Sequence, residues 1–275
     1  PIHLIGIMVE FDEDSESQTS GNGKFLTEVN SNLNYIDYPN RMRCNPQENL
    51  VIDLPPHNST YFSFQLEAVR NYYQSVSNKD ISYGIIENTY QLNNTMSYYA
   101  TSDKKIGLLF AQSLDKANEQ GDVDSYLNSN NLNIEDVLFV VFHAGLGQEA
   151  SQRFDPTIYD IKSAYVDDDM LADIQNDSYW INQQGINQGI IMPETLNWIF
   201  YNVIEDIFSL NFVTEDELDD LLCGQQLGVT GLFAHLLGYY FDFPLMTNNE
   251  GRYGIGDFGL MDQGCFNQQG IIPAK

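Results

Sequence analysis

Val137-Leu138-Phe139-Val140-Val141-Phe142 is an unbroken apolar run of strand length, built from three valines, a leucine and two phenylalanines. A run without apolar/polar alternation has no solvent face, so it reads as a strand covered on both sides, in the middle of a sheet. Working outward, Lys105–Glu119 is amphipathic at helical spacing, with Ser102 placed to cap it. Ile81–Leu92 alternates and reads as a second strand. Thr60–Val76 places Phe62, Leu66, Val69, Tyr73 and Val76 on one helical stripe. His3–Phe11 is an apolar, β-rich opening strand, and Asp12–Lys24 is an acidic, Ser-rich loop punctuated by glycine. Asn30–Val51 has no clear period. Strand, helix, strand, helix, strand is the signature of an α/β domain with a mixed sheet.

Beyond the central run, Arg153–Asp169 reads as acidic and irregular, and Ile186–Met192 as a short strand. Pro193 then sits where a first helical turn tolerates proline, and Glu194–Leu210 is expected to form a long helix carrying Trp198, Phe200, Tyr201 and Ile204. Thr214 and Glu217 have the spacing of a capping box before a short acidic helix through Leu222. Val229–Phe241 is apolar all round, the mark of a buried helix. From Asn248 the chain is Gly-rich and turn-like. The 275 residues read as a single domain, 1–275, with a sheet and helix lobe over 1–241 and a small Gly-rich lobe over 242–275.

Asp and Glu total 39 against 12 for Lys and Arg, a net charge of -27, which repels nucleic acid and anionic lipid and excludes both as expected partners. No apolar run is long enough for a membrane span. Cys44, Cys223 and Cys265 are odd in number and lack CxxC spacing, so at most one intramolecular pair forms, and their redox state stays open. Asn58, Asn93 and Asn176 head N-x-S/T triplets. No GxSxG elbow or phosphate-binding loop is present.

The chemical clue is Phe233-Ala234-His235-Leu236-Leu237-Gly238-Tyr239. A helical zinc site of the H-E-x-x-H kind needs two histidines four apart on one face, with a glutamate beside the first to polarise the metal-bound water. Here His235 stands first, Leu236 takes the glutamate position and Tyr239 the second histidine position. Other strings give this motif its context. They are Leu4–Phe11, Gly21-x-Gly23-Lys24-Phe25, Tyr61-Phe62, Asn71-Tyr72-Tyr73 and Met96-Ser97-Tyr98-Tyr99. Further along come Val140-Val141-Phe142-His143-Ala144-Gly145-Leu146-Gly147-Gln148-Glu149, Asp155-Pro156-Thr157 and Tyr159-Asp160-Ile161. The last are Gly189-Ile190-Ile191-Met192-Pro193-Glu194-Thr195 and Gly256-Asp257-Phe258-Gly259-Leu260-Met261-Asp262-Gln263-Gly264. Through these strings, in this order, the chain resembles the immune-inhibitor-A-type secreted zinc metallopeptidases.

The resemblance implies a zincin or metzincin-like α/β domain, secreted or cell-surface, with His235 on the active-site-type helix and Met261 as the methionine beneath the site. It also implies loss: Leu236 takes no proton, and a phenol such as Tyr239, with an ordinary pKa near ~10, is a weak ligand at neutral pH. The expectation is therefore a pseudo-peptidase without zinc, working as a structural, surface-assembly or binding domain. Its expected partner is protein, including a second copy of itself in the vestigial cleft. The alternative is a secreted endopeptidase with an altered metal site, for which Asp242, seven residues after His235, completes a His235/Tyr239/Asp242 set. Relatives run on past the Gly270–Ala274 string, so a following segment is expected either to have been removed or to continue beyond Lys275. Calcium is the other candidate cation, with Asp155, Asp160, Asp167, Asp168 and Asp169 as its candidate ligands, although no EF-hand spacing is present. His143 reads as a residue just past the central strand that either supports the site or bonds to backbone. His3 and His57 have no partner pattern and read as structural.

Overall fold

The computed structural model of the protein describes residues 1–15, 18–28, 53, 55–149, 157–175, 179–181, 184–201, 222–246, 254–271 and 273. The expected helix over the Thr214 capping box and the aperiodic Asn30–Val51 stretch lie outside the described residues.

The core is a six-stranded mixed sheet. β1 (Ile2–Glu10) pairs in parallel with β2 (Ile81–Gln91) on one side and with β3 (Val137–Gly147) on the other. β3 pairs in parallel with β7 (Gly189–Tyr201). The far edge of β7 carries two antiparallel partners, β4 (Ala164–Val166) along Gly189–Ile191 and β8 (Leu222–Leu227) along Leu196–Tyr201. β5 (Tyr179–Ile181) and β6 (Gln184–Ile186) form a separate hairpin. The Val137–Phe142 run thus lies between two parallel neighbours, as its lack of alternation required.

Helices cover both faces. α1 (Ser59–Val76) crosses from β1 to β2, with the Asn58 side chain accepting Thr60 N–H and Tyr61 N–H. α2 (Met96–Tyr99), α3 (Asp103–Glu119), capped by Ser102, and α4 (Asp122–Asn130) lie between β2 and β3. α5 (Asp168–Gln175) follows β4, and α6 (Thr230–Tyr240) follows β8. Phe142 stacks on Phe62 of α1 at 4.6 Å between ring centroids and meets Phe233 of α6 edge-on at 6.0 Å, which places α1 and α6 on one face. Met192 pairs with Phe142, and Gly189 lies an odd number of residues before Met192, so Gly189 faces the other side. There the Phe110 ring of α3 occupies the space that a Cβ on Gly189 would need.

The principal correction concerns Glu194–Leu210. Its described part, Glu194–Tyr201, is strand, and the Ile186–Met192 strand resolves into the end of β6 and the start of β7. Pro193 is tolerated there for a specific reason. β4 ends its pairing at Ile191 and β8 begins at Leu196, while the β3 register shifts between His143 and Leu146. The missing N–H falls in the gap between two edge partners and beside a bulge. A second correction is the Arg153–Asp169 stretch, where Ala164–Val166 forms β4 and Asp168 opens α5.

Gly189→Ala should overpack the Phe110 ring and cost about 1–3 kcal/mol. The urea unfolding midpoint reads this directly, and an unchanged midpoint would contradict the close packing of α3 on β7.

Candidate functional site

Two polar constellations lie on the α1/α6 face. The first is the helix that the sequence singled out. The His235 ring is half-buried and its Nδ1 lies 2.8 Å from the Leu260 carbonyl oxygen, to which it donates. Burial holds the imidazole below its ordinary pKa, with the Leu260 carbonyl opposing. Tyr239 lies edge-on to His235 at 5.2 Å and stacks on Tyr165 of β4 at 5.9 Å. Burial raises the Tyr239 phenol, so it stays protonated at neutral pH. Leu236 is 6% exposed and belongs to the hydrophobic core. Met261 is buried directly against Gly238, where its sulfur fills the space of an absent Cβ. The Leu260-Met261 turn therefore supports the helix over the His235–Gly238 turn.

Asp242 does not join this group in the way helical spacing implied. α6 ends at Tyr240, and Asp242 is exposed at φ +58, donating its N–H to the Tyr239 carbonyl at 2.9 Å. Phe243 N–H closes on Gly238 O at 3.0 Å, which completes a left-handed helix stop. The helix turns away before a second turn could bring Asp242 under His235.

The calcium candidates among the described residues have roles within the fold. Asp155 lies outside the described residues. Asp160 is buried and its Oδ1 accepts Ser20 N–H at 2.7 Å, pinning the loop after β1 to the segment after β3. Asp167 caps α5, accepting Met170 N–H at 3.0 Å, and Asp168 and Asp169 occupy the first turn, where acid favours the helix dipole. Among the described residues, no three His, Cys, Asp or Glu side chains converge as a metal-binding group. Cys265 is a buried free thiol, pushed up to about 12 by burial, while the side chains of Cys44 and Cys223 lie outside the description.

His143 lies inside β3 rather than past it, paired with Val9 and Pro193. It is fully buried, its Nδ1 bonds to Ala144 O at 2.9 Å, and burial lowers its pKa to about 4. The imidazole is neutral at physiological pH.

The second constellation was missed by sequence reasoning. Glu194, 2% exposed, accepts Leu26 N–H at 2.7 Å and His57 Nδ1–H at 2.6 Å on one oxygen, and Gly145 N–H at 3.0 Å on the other. His57 stacks on Tyr61 at 4.3 Å, and Tyr61 donates its hydroxyl to the Glu194 carbonyl at 3.0 Å. Thr195 donates to Asp53 at 3.4 Å, and Thr230 at the start of α6 donates to Gln65 at 3.1 Å. This network sits where β3 and β7 run toward their carboxyl ends and where α1 begins, the end of a parallel sheet at which ligands usually bind. Its own polar atoms are largely spent on one another. The partners are between 49 and 168 residues apart, so no local spacing could have announced them.

A comparison with known protein families finds no match for this chain, and a comparison with curated proteins finds none either.

Asp53 supplies a pH test. Burial raises its carboxyl to about 6, against the opposing pull of His57, Thr195, Tyr61 and Gln65. The folded chain thus holds this proton more tightly than the unfolded chain. The resulting stability is fully present below the ordinary carboxyl pKa and is lost as pH rises through about 6. Asp53→Asn should therefore gain about 1–3 kcal/mol over the parent between pH 4 and pH 7.5, measured by urea unfolding at each pH. A pH-independent difference would remove this account of Asp53.

Proposed function

We propose that this chain is a pseudo-peptidase: a zincin or metzincin-like scaffold of the immune-inhibitor-A type that has lost its zinc chemistry and works outside the cell by binding protein. The observation that carries this reading is the chemistry of one helical turn. His235 keeps the posture of a metal ligand, with Nδ1 tied to a backbone carbonyl and the rest of the ring turned toward Tyr239. The neighbouring positions hold Leu236, which is core, and Tyr239, which is a packed phenol. A single imidazole beside hydrocarbon and a protonated phenol does not hold zinc, and leucine cannot serve as a general base, a role worth about 10²–10⁴-fold. The Met261 turn under the helix supports the same reading, because it braces the turn that carries His235.

The altered-site endopeptidase is the weaker reading, since Asp242 is turned out as the helix stop. Binding partners remain protein, held along the proposed cleft, and with a net charge of -27 self-association requires screening by salt.

Purified protein should leave casein intact with and without chelator. The double variant Leu236→Glu with Tyr239→His should gain stoichiometric zinc, read by metal analysis after dialysis against a weak chelator. Chelator-sensitive proteolysis by the parent chain, or a double variant that folds yet takes up no zinc, would overturn the proposal.

A further inference from the structure

At the amino end of the sheet, away from the two constellations above, three side chains from three elements form a continuous hydrogen-bonded line. The parallel register sets His3 of β1 beside Ser82 of β2. His3 Nδ1 lies 2.7 Å from Ser82 Oγ, and His3 Nε2 lies 3.0 Å from the Tyr126 hydroxyl of α4. Gly84 makes the third contact possible, because the Tyr126 hydroxyl occupies the space that a Cβ at position 84 would fill. Ser82 is exposed, whereas His3 is only 9% exposed and Tyr126 is half-buried.

We propose that Ser82, His3 and Tyr126 form an acyl-accepting nucleophile site for carboxylic esters, in which Ser82 is the nucleophile, His3 its base and Tyr126 the group that orients His3. A nucleophile within hydrogen-bond reach of a base, itself held by a third group, is the arrangement that activates serine. In the proposed site the Ser82 hydroxyl donates to His3 Nδ1, the nearer of its two acceptors, rather than to the Ile2 carbonyl at 3.5 Å. Nδ1 then carries the lone pair, and Nε2–H donates to Tyr126. Burial keeps His3 below its ordinary pKa and Tyr126 above its own, so both are neutral at pH 7, with His3 ready to accept a proton.

The step balances without a further reagent. Ser82 Oγ bonds to the ester carbonyl carbon as its proton moves to His3 Nδ1. The carbon–alkoxide bond breaks, and the alcohol leaves with that proton. Water then attacks the acyl-serine, gives its proton to Nδ1 and releases the acid, and Ser82 recovers its proton.

The test uses the full chain with p-nitrophenyl acetate and, separately, a fluorophosphonate, with peptide mass spectrometry to locate the adduct. Ser75 and Ser125 serve as internal controls, because they are exposed but their hydroxyls donate to the carbonyls of Tyr72 and Gly121. The expected result is an adduct at Ser82 forming at least about 10²-fold faster than at either control, absent in Ser82→Ala. His3→Ala should slow labelling by a similar factor, and added imidazole should restore it, which a merely structural histidine would not show. If His3→Ala does not fold, the parent's Ser82-to-control ratio decides alone. Labelling of Ser82 no faster than the controls, or at an undiminished rate in folded His3→Ala, overturns the proposal.

Discussion

The carboxyl group of Glu194 is the constraint on which the carboxyl end of this sheet depends. It gathers N–H donors from the loop after β1, from the segment before α1 and from the bulge of β3. An acid 2% exposed is tolerable only when its oxygens are occupied, since an unpaired buried charge costs several kcal/mol. Each of the three segments in turn has an N–H that the fold must satisfy. The arrangement is mutual: if β7 slipped by one residue against β3, Glu194 would point to the other face and three donors would be left behind. The pairing of Met192 with Phe142 is thereby tied to the placement of loops far away in sequence.

The network then transmits this placement to the helices. Tyr61 holds the first turn of α1 to the Glu194 backbone, and Gln65, one turn on, receives Thr230 from the start of α6. Deeper in, Tyr73 of α1 donates to the Ala234 carbonyl of α6 at 2.7 Å. Two polar contacts flanking the Phe62–Phe142–Phe233 aromatic contact fix how α6 lies on α1. Hydrophobic burial holds the layers together, but it is non-directional. The hydrogen bonds select the one sliding position at which His235 meets the Leu260 carbonyl.

Much of this architecture was legible in the chain. β1, α1, β2, α3, β3 and α6 each carry a strong period or an unbroken apolar run; all but β3 form close to their expected bounds, and β3 runs on five residues past Phe142 to Gly147. The failure at Glu194–Tyr201 has a physical cause. Trp198, Phe200 and Tyr201 suit either a helical stripe or a strand, and a proline ahead of them favours helix when only neighbours in sequence are weighed. What decided the outcome was non-local: a free parallel edge on β3, and a gap between β4 and β8 that spares Pro193 a ladder bond. The candidate sites divide in the same way. The departures of Leu236 and Tyr239 from an H-E-x-x-H pattern are visible in five consecutive letters, and a place for Met261 near that helix was expected only through the resemblance. The Glu194–His57 and Ser82–His3–Tyr126 lines are products of register and packing, invisible until strands are paired.

Why α6 keeps its place follows from the groups around it. A carboxyl at position 236 would enter the core beside Phe233 and Leu237, where only a cation or a set of donors could compensate it. Leucine makes no such demand and adds apolar burial. At position 239 the aromatic ring spans from His235 to Tyr165, so the space between α6 and β4 is filled by stacked rings. The helix is then secured at three points that need no metal: the Tyr73 hydroxyl on Ala234, the Met261 sulfur on Gly238, and the left-handed stop at Asp242. These contacts fix the place of α6 through packing, one hydrogen bond and a backbone turn.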